Sequence, residues 1–479
     1  MKISDKFKLK KTQFELDFVD IDTDKDTPLF LDPYFISKCE FPIACDAHST
    51  IRSFFEYLLA LLQGNHISEA EEIFSHLGET NDICLGMSRD KPEGHGMGPQ
   101  DTKAIFKELL QSRAVESGVM EDIEDFRIFV PNVDRDKVSD MTANIIRKHL
   151  IMYTQNQCEL LEIPLQDNVP SGAYWDSINL KWNNEYTKRL IVDGKPILLV
   201  PKRIVSFSDK YSSAEYKQHF VLNFLQNENI RLQTSLVQKR KNGSQYVTKK
   251  SVREHEDTMN KEYLIRFTKQ HPEIFQNFKD STKTLIAPVT GKIFEEIDVN
   301  VICDILSNAL KNVPYGRDNA SVYHSLMIGI LEFLVYPNLS SPKKEQEINE
   351  GRKRIDIAFN NSAETGFFFR LPNLSHITCP FVFVECKNYS REVANPELDQ
   401  MGGRFSYQRG RFGIIACRSI DNTDLFLKRC ADTYADDRGL IIPIVDDDIL
   451  EAIEKYPELR ERSLEIILER KYRIIAMEH

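Results

Sequence analysis

The sequence contains no apolar run long enough to cross a bilayer. Its most apolar helical stretch, residues 328–335, is short and includes Glu332, whereas a membrane span needs ~20 residues. The opening segment MKISDKFKLKKTQ is charged with no apolar run behind it, so a secretory signal is not expected. Cysteine is sparse and irregular: nine residues, at positions 39, 45, 84, 158, 303, 379, 386, 417 and 430, odd in number and never spaced CxxC. That argues against a disulfide framework or a zinc ribbon, and reduced thiols in a cytoplasm are the expectation. There is no GxxxxGK[ST] loop or dinucleotide fingerprint, so no nucleotide-driven motor is implied. No internal repeat of fixed period is visible. With 20 Gly and 20 Pro in 479 residues, collagenous and low-complexity classes are excluded. Hydrophobic residues at 41 % and charged residues at 28 % leave little room for wholesale disorder.

What is present is an acidic, multidomain α/β (α+β) chain. Its length suggests about three domains. Lys plus Arg is 62 and Asp plus Glu is 73, a formal net charge of −11, which argues against a generally basic nucleic-acid coat protein. Position matters more than the sum. Residues 1–100 carry 10 basic and 18 acidic groups and residues 101–200 carry 12 and 16, but residues 201–290 carry 16 and 9. We therefore expect an N-terminal mixed α/β region over 1–200, a basic and largely helical segment over 201–295, and a third region over 296–479. In the first, 51–62 and 67–77 have helical apolar spacing around a Gly64–Asn65 turn. Residues 139–153 predict a helix capped by Ser139 or Asp140, and 186–205 a hairpin around Asp193–Gly194. Residues 214–225 and 252–269 read as helices separated by the polar, basic stretch 238–250.

The third region holds the chemistry. Residues 381–389 read FVFVECKNY, an apolar strand buried on both faces, with Glu385 and Lys387 at its end. Two residues apart, these side chains point to the same face, and burying them costs free energy unless they are paired. Upstream, RIDIAF (354–359) is another strand, with Asp356 opposite the face of Ile355, Ile357 and Phe359. Two carboxylates at one site repel, and a Mg²⁺ or Mn²⁺ ion relieves that repulsion while lowering the pKa of a bound water. Lys387 could orient or activate that water, or stabilise charge on a phosphoryl group. The carbonyl of Cys386 is a natural extra metal ligand, while its thiol packs. The competing reading is an exposed strand carrying a Glu–Lys pair worth ~1 kcal/mol or less.

Asp356 followed by Glu385–Cys386–Lys387 resembles the PD-(D/E)XK nuclease superfamily, the restriction-endonuclease-like fold. The resemblance covers 296–479. It implies a mixed sheet flanked by helices, Mg²⁺-dependent hydrolysis of phosphodiesters, and metal ligation by Asp356 and Glu385 with Lys387 assisting. Residues 323–336 form an apolar helix whose Glu332 resembles the first-helix carboxylate of many members. Asn395–Pro396–Glu397 opens a helix carrying Gln400, similar to the glutamine of several branches. The strands expected at 412–419 and from 439 complete that order. Ile355 stands where the motif name has Pro. The implied function is a DNA endonuclease in restriction or anti-phage defence. An RNase and an inactive nuclease-fold binding or assembly protein are the alternatives.

Several features carry less. Gly94–His95–Gly96–Met97–Gly98 precedes a helix but follows no strand, and reads as a structural loop. Asp20, Asp22, Asp24 and Asp26 alternate like a Ca²⁺ loop, yet Lys25 and Leu31 stand where Gly and Glu are required. Lys239, Arg240, Lys241, Lys249 and Lys250 could track a phosphate backbone or form a solvated linker. Arg404, Arg409 and Arg411 could face substrate phosphates. Partners are expected to be DNA or RNA, with a homo-oligomer or partner subunits and no membrane.

Overall fold

Helix formation in the N-terminal region follows apolar spacing closely. In Pro42–Gln63 the residues Ala47, Ile51, Phe54, Phe55 and Leu58 form one buried face, and Pro42 occupies the first turn, where its missing N–H costs nothing. The helix ends at Gly64, Asn65 takes a positive φ, and Ile67–Phe74 follows. The computed structural model describes residues 1–39, 41–86, 98–206, 210–283, 298–344, 356–388 and 395–477. The glycine-rich stretch 94–97, with His95, and Arg354 and Ile355 lie outside them.

The helix expected over 139–153 is two helices, Arg135–Ile145 and Arg147–Leu160. Its cap is Asp134, whose carboxylate accepts from Lys137 N–H at 3.1 Å. Ser139 and Asp140 lie inside the helix instead, and the Ser139 hydroxyl accepts from Leu31 N–H at 3.0 Å. The hairpin at Asp193–Gly194 is present as Tyr186–Val192 paired with Lys195–Ile197. Among its neighbours, Trp175 and Trp182 face each other across a strand pair, with Phe54 edge-on to both.

One apolar core runs from Ile3 through Tyr211 and Tyr216 to Phe278. The division expected at residue 200 therefore falls inside a continuous core, because the helices of 213–283 pack on the helices before them. A second core runs from Val299 to Ile475, joined by Phe14 and Leu160.

That second core surrounds a five-stranded mixed sheet: β1 (Leu339–Lys344), β2 (Ile357–Asn361), β3 (Phe381–Lys387), β4 (Phe412–Cys417) and β5 (Leu440–Val445), in that spatial order. The pairs β1–β2 and β2–β3 are antiparallel, and β3–β4 and β4–β5 are parallel. The parallel steps require crossovers, supplied by helices Asn395–Gly402 and Thr423–Ala435. β4 is buried at all six positions, which is why FGIIAC shows no alternation. Helix Ala320–Val335 packs on the sheet on one side and on the short helix Gln13–Glu15 on the other. Its second half, 327–335, is buried throughout, and apart from Glu332 that half is apolar all round. Among the described residues no helix is long and apolar enough to cross a membrane.

Candidate active site

The pairing register brings the two carboxylates together. Ile357 pairs with Val384 and Ala358 with Phe383 in antiparallel register, so extending by one residue sets Asp356 opposite Glu385. Side chains opposite each other share a face at roughly 5 Å between Cβ atoms. Asp356 precedes the ladder, and its Oδ2 accepts from Cys386 N–H at 2.8 Å. A side-chain carboxylate thus serves the strand that carries Glu385 and Lys387.

Glu385 is fully buried and its two oxygens are shared among three partners. Lys387 Nζ pairs with Oε1, and Arg404 Nη1 donates to Oε2 at 2.8 Å. Gln400, with its amide oriented by this network, donates to Oε1 at 3.0 Å and accepts from Arg404 Nη2 at 2.7 Å. Burial pushes the Glu385 carboxyl above its ordinary value, against the pull of Lys387 and Arg404. Burial, with the Asp356 and Glu385 charges beside it, also holds the Cys386 thiol well up. That thiol packs against the second core. Solvent reaches the cluster from the side of Gln400, which is exposed, and Lys387, which is 12 % exposed.

A second row of polar groups lies one residue past the ends of β3, β4 and β5. Arg418 Nε pairs with Asp446 at 2.7 Å, and its Nη1 donates to Asn388 Oδ1 at 3.2 Å and to Val313 O at 2.9 Å. Asn388 Nδ2 donates to the carbonyls of Pro314 and Gly316. Tyr323 donates to Asp446 at 2.9 Å. Burial raises Asp446 to about 6 despite Arg418. This row, which sequence reasoning missed, fastens the residue after Lys387 to the 313–316 turn. Its signal was available: each member is the polar residue that immediately follows a buried strand.

Other predicted residues lie elsewhere. Glu332 is buried but pairs with Lys202 Nζ at 3.0 Å, with Asp17 and Lys11 nearby. Burial pushes it up to about 7 against the pull of Lys202. The part of its helix that reaches the strand ends is Tyr323, nine residues earlier, about 13 Å along the axis. Glu332 therefore supports the joint between the two cores rather than the Asp356–Glu385 cluster. Arg404, expected to face phosphate, is 1 % exposed and committed to Glu385. Arg411 is engaged with Asp437 at 2.8 Å and leans over Tyr407. The Arg404 guanidinium is thus shut away from solvent, whereas Arg411 is part-exposed at the surface beside Asp437. Lys239, Arg240 and Lys241 are exposed on a hairpin formed by Gln238–Lys239 and Gln245–Tyr246. Lys249 donates to Gln218 O at 2.6 Å, and Lys250 lies 3.8 Å from Glu254 on the helix that follows.

The cluster can hold a hard cation in one respect: Asp356 and Glu385 are oxygen donors, and one or two carboxylates plus water and substrate oxygens suit Mg²⁺. Among the described residues no group of three or more metal-ligating side chains converges, so the remaining ligands would come from water, backbone or substrate. A cleft of about 890 Å³ lined by Arg370, Glu465 and Arg473 contains none of the predicted residues.

A family model described as a domain of unknown function (DUF8370) matches residues 8–212. That segment includes Lys11, Asp17 and Lys202 but no residue of the Asp356–Glu385 cluster. No curated protein and no solved structure matches the chain.

Proposed function

We propose that this chain is a metal-dependent nuclease that hydrolyses phosphodiester bonds, a DNA endonuclease of the restriction or anti-phage defence kind with a restriction-endonuclease-like C-terminal core. The observation that carries the reading is the 2.8 Å bond from Cys386 N–H to Asp356 Oδ2. It joins a second carboxylate to the strand that bears Glu385 and Lys387 on one face. The order supports it as well: a helix, two antiparallel strands, the short helix Gly366–Asn373, the antiparallel strand β3, a helix and a parallel strand.

Asp356 and Glu385 would hold Mg²⁺ or Mn²⁺, which when bound acidifies a coordinated water and neutralises charge on the phosphoryl oxygens. Lys387, already against Glu385, would position the attacking water or stabilise the developing phosphoryl charge. Gln400 and Arg404 orient Glu385. A non-catalytic binding or assembly protein on the same fold is the second reading, favoured by the engagement of both Glu385 oxygens with cations.

The test is cleavage of DNA and RNA with Mg²⁺ or Mn²⁺ by the full chain, Asp356→Ala and Lys387→Ala. We expect metal-dependent DNA cleavage that falls by ~100-fold or more in both variants. Cleavage without metal, or equal cleavage by all three proteins, overturns the nuclease reading. RNA cut in place of DNA makes the protein an RNase, and binding without cleavage favours the second reading.

A further inference from the structure

Two cations on one buried carboxylate is more than a metal site needs. The formal charges of Asp356, Glu385, Lys387 and Arg404 cancel, so the cluster already balances itself. Lys387 and Arg404 differ in what they can do about an incoming cation. Lysine can turn aside on a flexible stem, whereas an arginine presents a planar, permanently charged fork. Arg404 also has little room to leave. It sits in the turn that closes helix Asn395–Gly402, where its N–H donates to Met401 O at 3.0 Å and Gly403 N–H donates to Asp399 O at 3.0 Å. The next residue, Phe405, stacks on Phe383 of β3 with ring centroids 6.1 Å apart. With the side chain 2 % exposed, water and salt screen its charge weakly.

We propose that Arg404 is a resident counter-cation that makes metal binding at Asp356 and Glu385 depend on the anionic substrate. The proposal rests on the nuclease reading and adds regulation to that same site. A divalent ion arriving alone meets two carboxylates whose charge is already neutralised and a guanidinium that cannot become neutral. A phosphodiester brings a negative charge to the same place and offsets the excess. Metal and nucleic acid therefore bind with positive coupling, and the coupling is reciprocal: the metal tightens substrate binding by the factor by which substrate tightens metal binding. The consequence is a site that stays metal-poor until a target is held in it.

The experiment is calorimetric titration of Mn²⁺ into the full chain, with and without a duplex whose phosphodiesters are replaced by non-cleavable phosphorothioates. The proteins are wild type, Asp356→Asn, Arg404→Gln and Arg404→Lys. We expect the duplex to tighten Mn²⁺ binding by wild type about 5-fold or more, within the usual range of coupling between sites. Arg404→Gln should bind Mn²⁺ about 10-fold more tightly without the duplex, with its coupling reduced below about 2-fold, and Arg404→Lys should fall between. Mn²⁺ binding to wild type that is indifferent to the duplex overturns the proposal, and this measurement decides it even where an Arg404 variant does not fold. A folded Arg404→Gln that binds Mn²⁺ no more tightly than wild type also overturns it. In both cases the nuclease reading stands if Asp356→Asn abolishes the binding. Asp356→Asn that binds Mn²⁺ like wild type removes the nuclease site itself, and the proposal with it.

Discussion

Asp446 shows what a single buried charge does to this protein. It pairs with Arg418 and accepts from Tyr323, yet burial still holds its carboxyl up to about 6 against an ordinary 3.8. Between those two values the folded chain retains a proton that the unfolded chain has released. The folded state binds more protons there, so this group's contribution to stability falls as pH rises from about 4 to about 6 and is constant above. Asp446→Asn removes the titration. The difference in unfolding free energy, wild type minus variant, should fall by on the order of 2 kcal/mol across that window, measured by urea denaturation at closely spaced pH. A pH-independent difference would show that Asp446 is ionised throughout.

At the scale of elements, strand β3 and the turn after helix Asn395–Gly402 act together. A Cβ added at Gly439, whose φ is +101, would lie 2.3 Å from Phe405 Cδ2. Phe405 stacks on Phe383 and follows Arg404. Gly439→Ala should cost about 1–3 kcal/mol through overpacking and backbone strain, read as a lower urea midpoint with unchanged slope. The hairpin carrying Lys239, Arg240 and Lys241 projects its cations into solvent, and only Arg240 leans on a ring, 5.2 Å over Tyr246. Neutralising all three should weaken DNA binding and flatten its dependence on log salt by up to about 3 units. An unchanged salt slope in a binding titration would make the hairpin a connector.

Across the whole molecule the two cores meet through buried charge rather than apolar contact alone. Lys202 reaches Glu332 at 3.0 Å and lies 4.1 Å over the Tyr336 ring. Asp17 accepts from Tyr153 at 2.6 Å and from Ser341 N–H at 2.9 Å. Arg203 donates to the carbonyls of Pro337 and Ser362. Gly329 stands where Lys11 crosses the helix: a Cβ there would lie 2.5 Å from Lys11 Nζ. Removing one partner of a buried pair strands the other, so Lys202→Met should destabilise the chain by about 3–5 kcal/mol. Lys202→Met with Glu332→Leu should recover part of that loss, because the uncompensated charge is gone. A double variant whose loss in urea denaturation equals the sum of the losses of Lys202→Met and Glu332→Leu alone would mean that the pair is not coupled.

Much of the C-terminal half could be read from residues alone. Glu385 and Lys387 fall on one face because strand side chains alternate, and FVFV marks burial whatever the neighbours are. The helix start at Asn395 and the turn at Asp193–Gly194 follow from local chemistry in the same way. Partner choice is different, since it depends on which segments the chain folds together. Glu332 occupies a helix position that suits a catalytic acid, but packing gave it Lys202, a residue 130 positions earlier. Arg404 reads as a surface cation until the turn around it closes over Glu385. Local pattern determined which side chains would be buried and in which direction they point. Only tertiary structure decided which opposite charge each one meets, because a buried ion is compensated by whatever group the fold brings within about 3 Å.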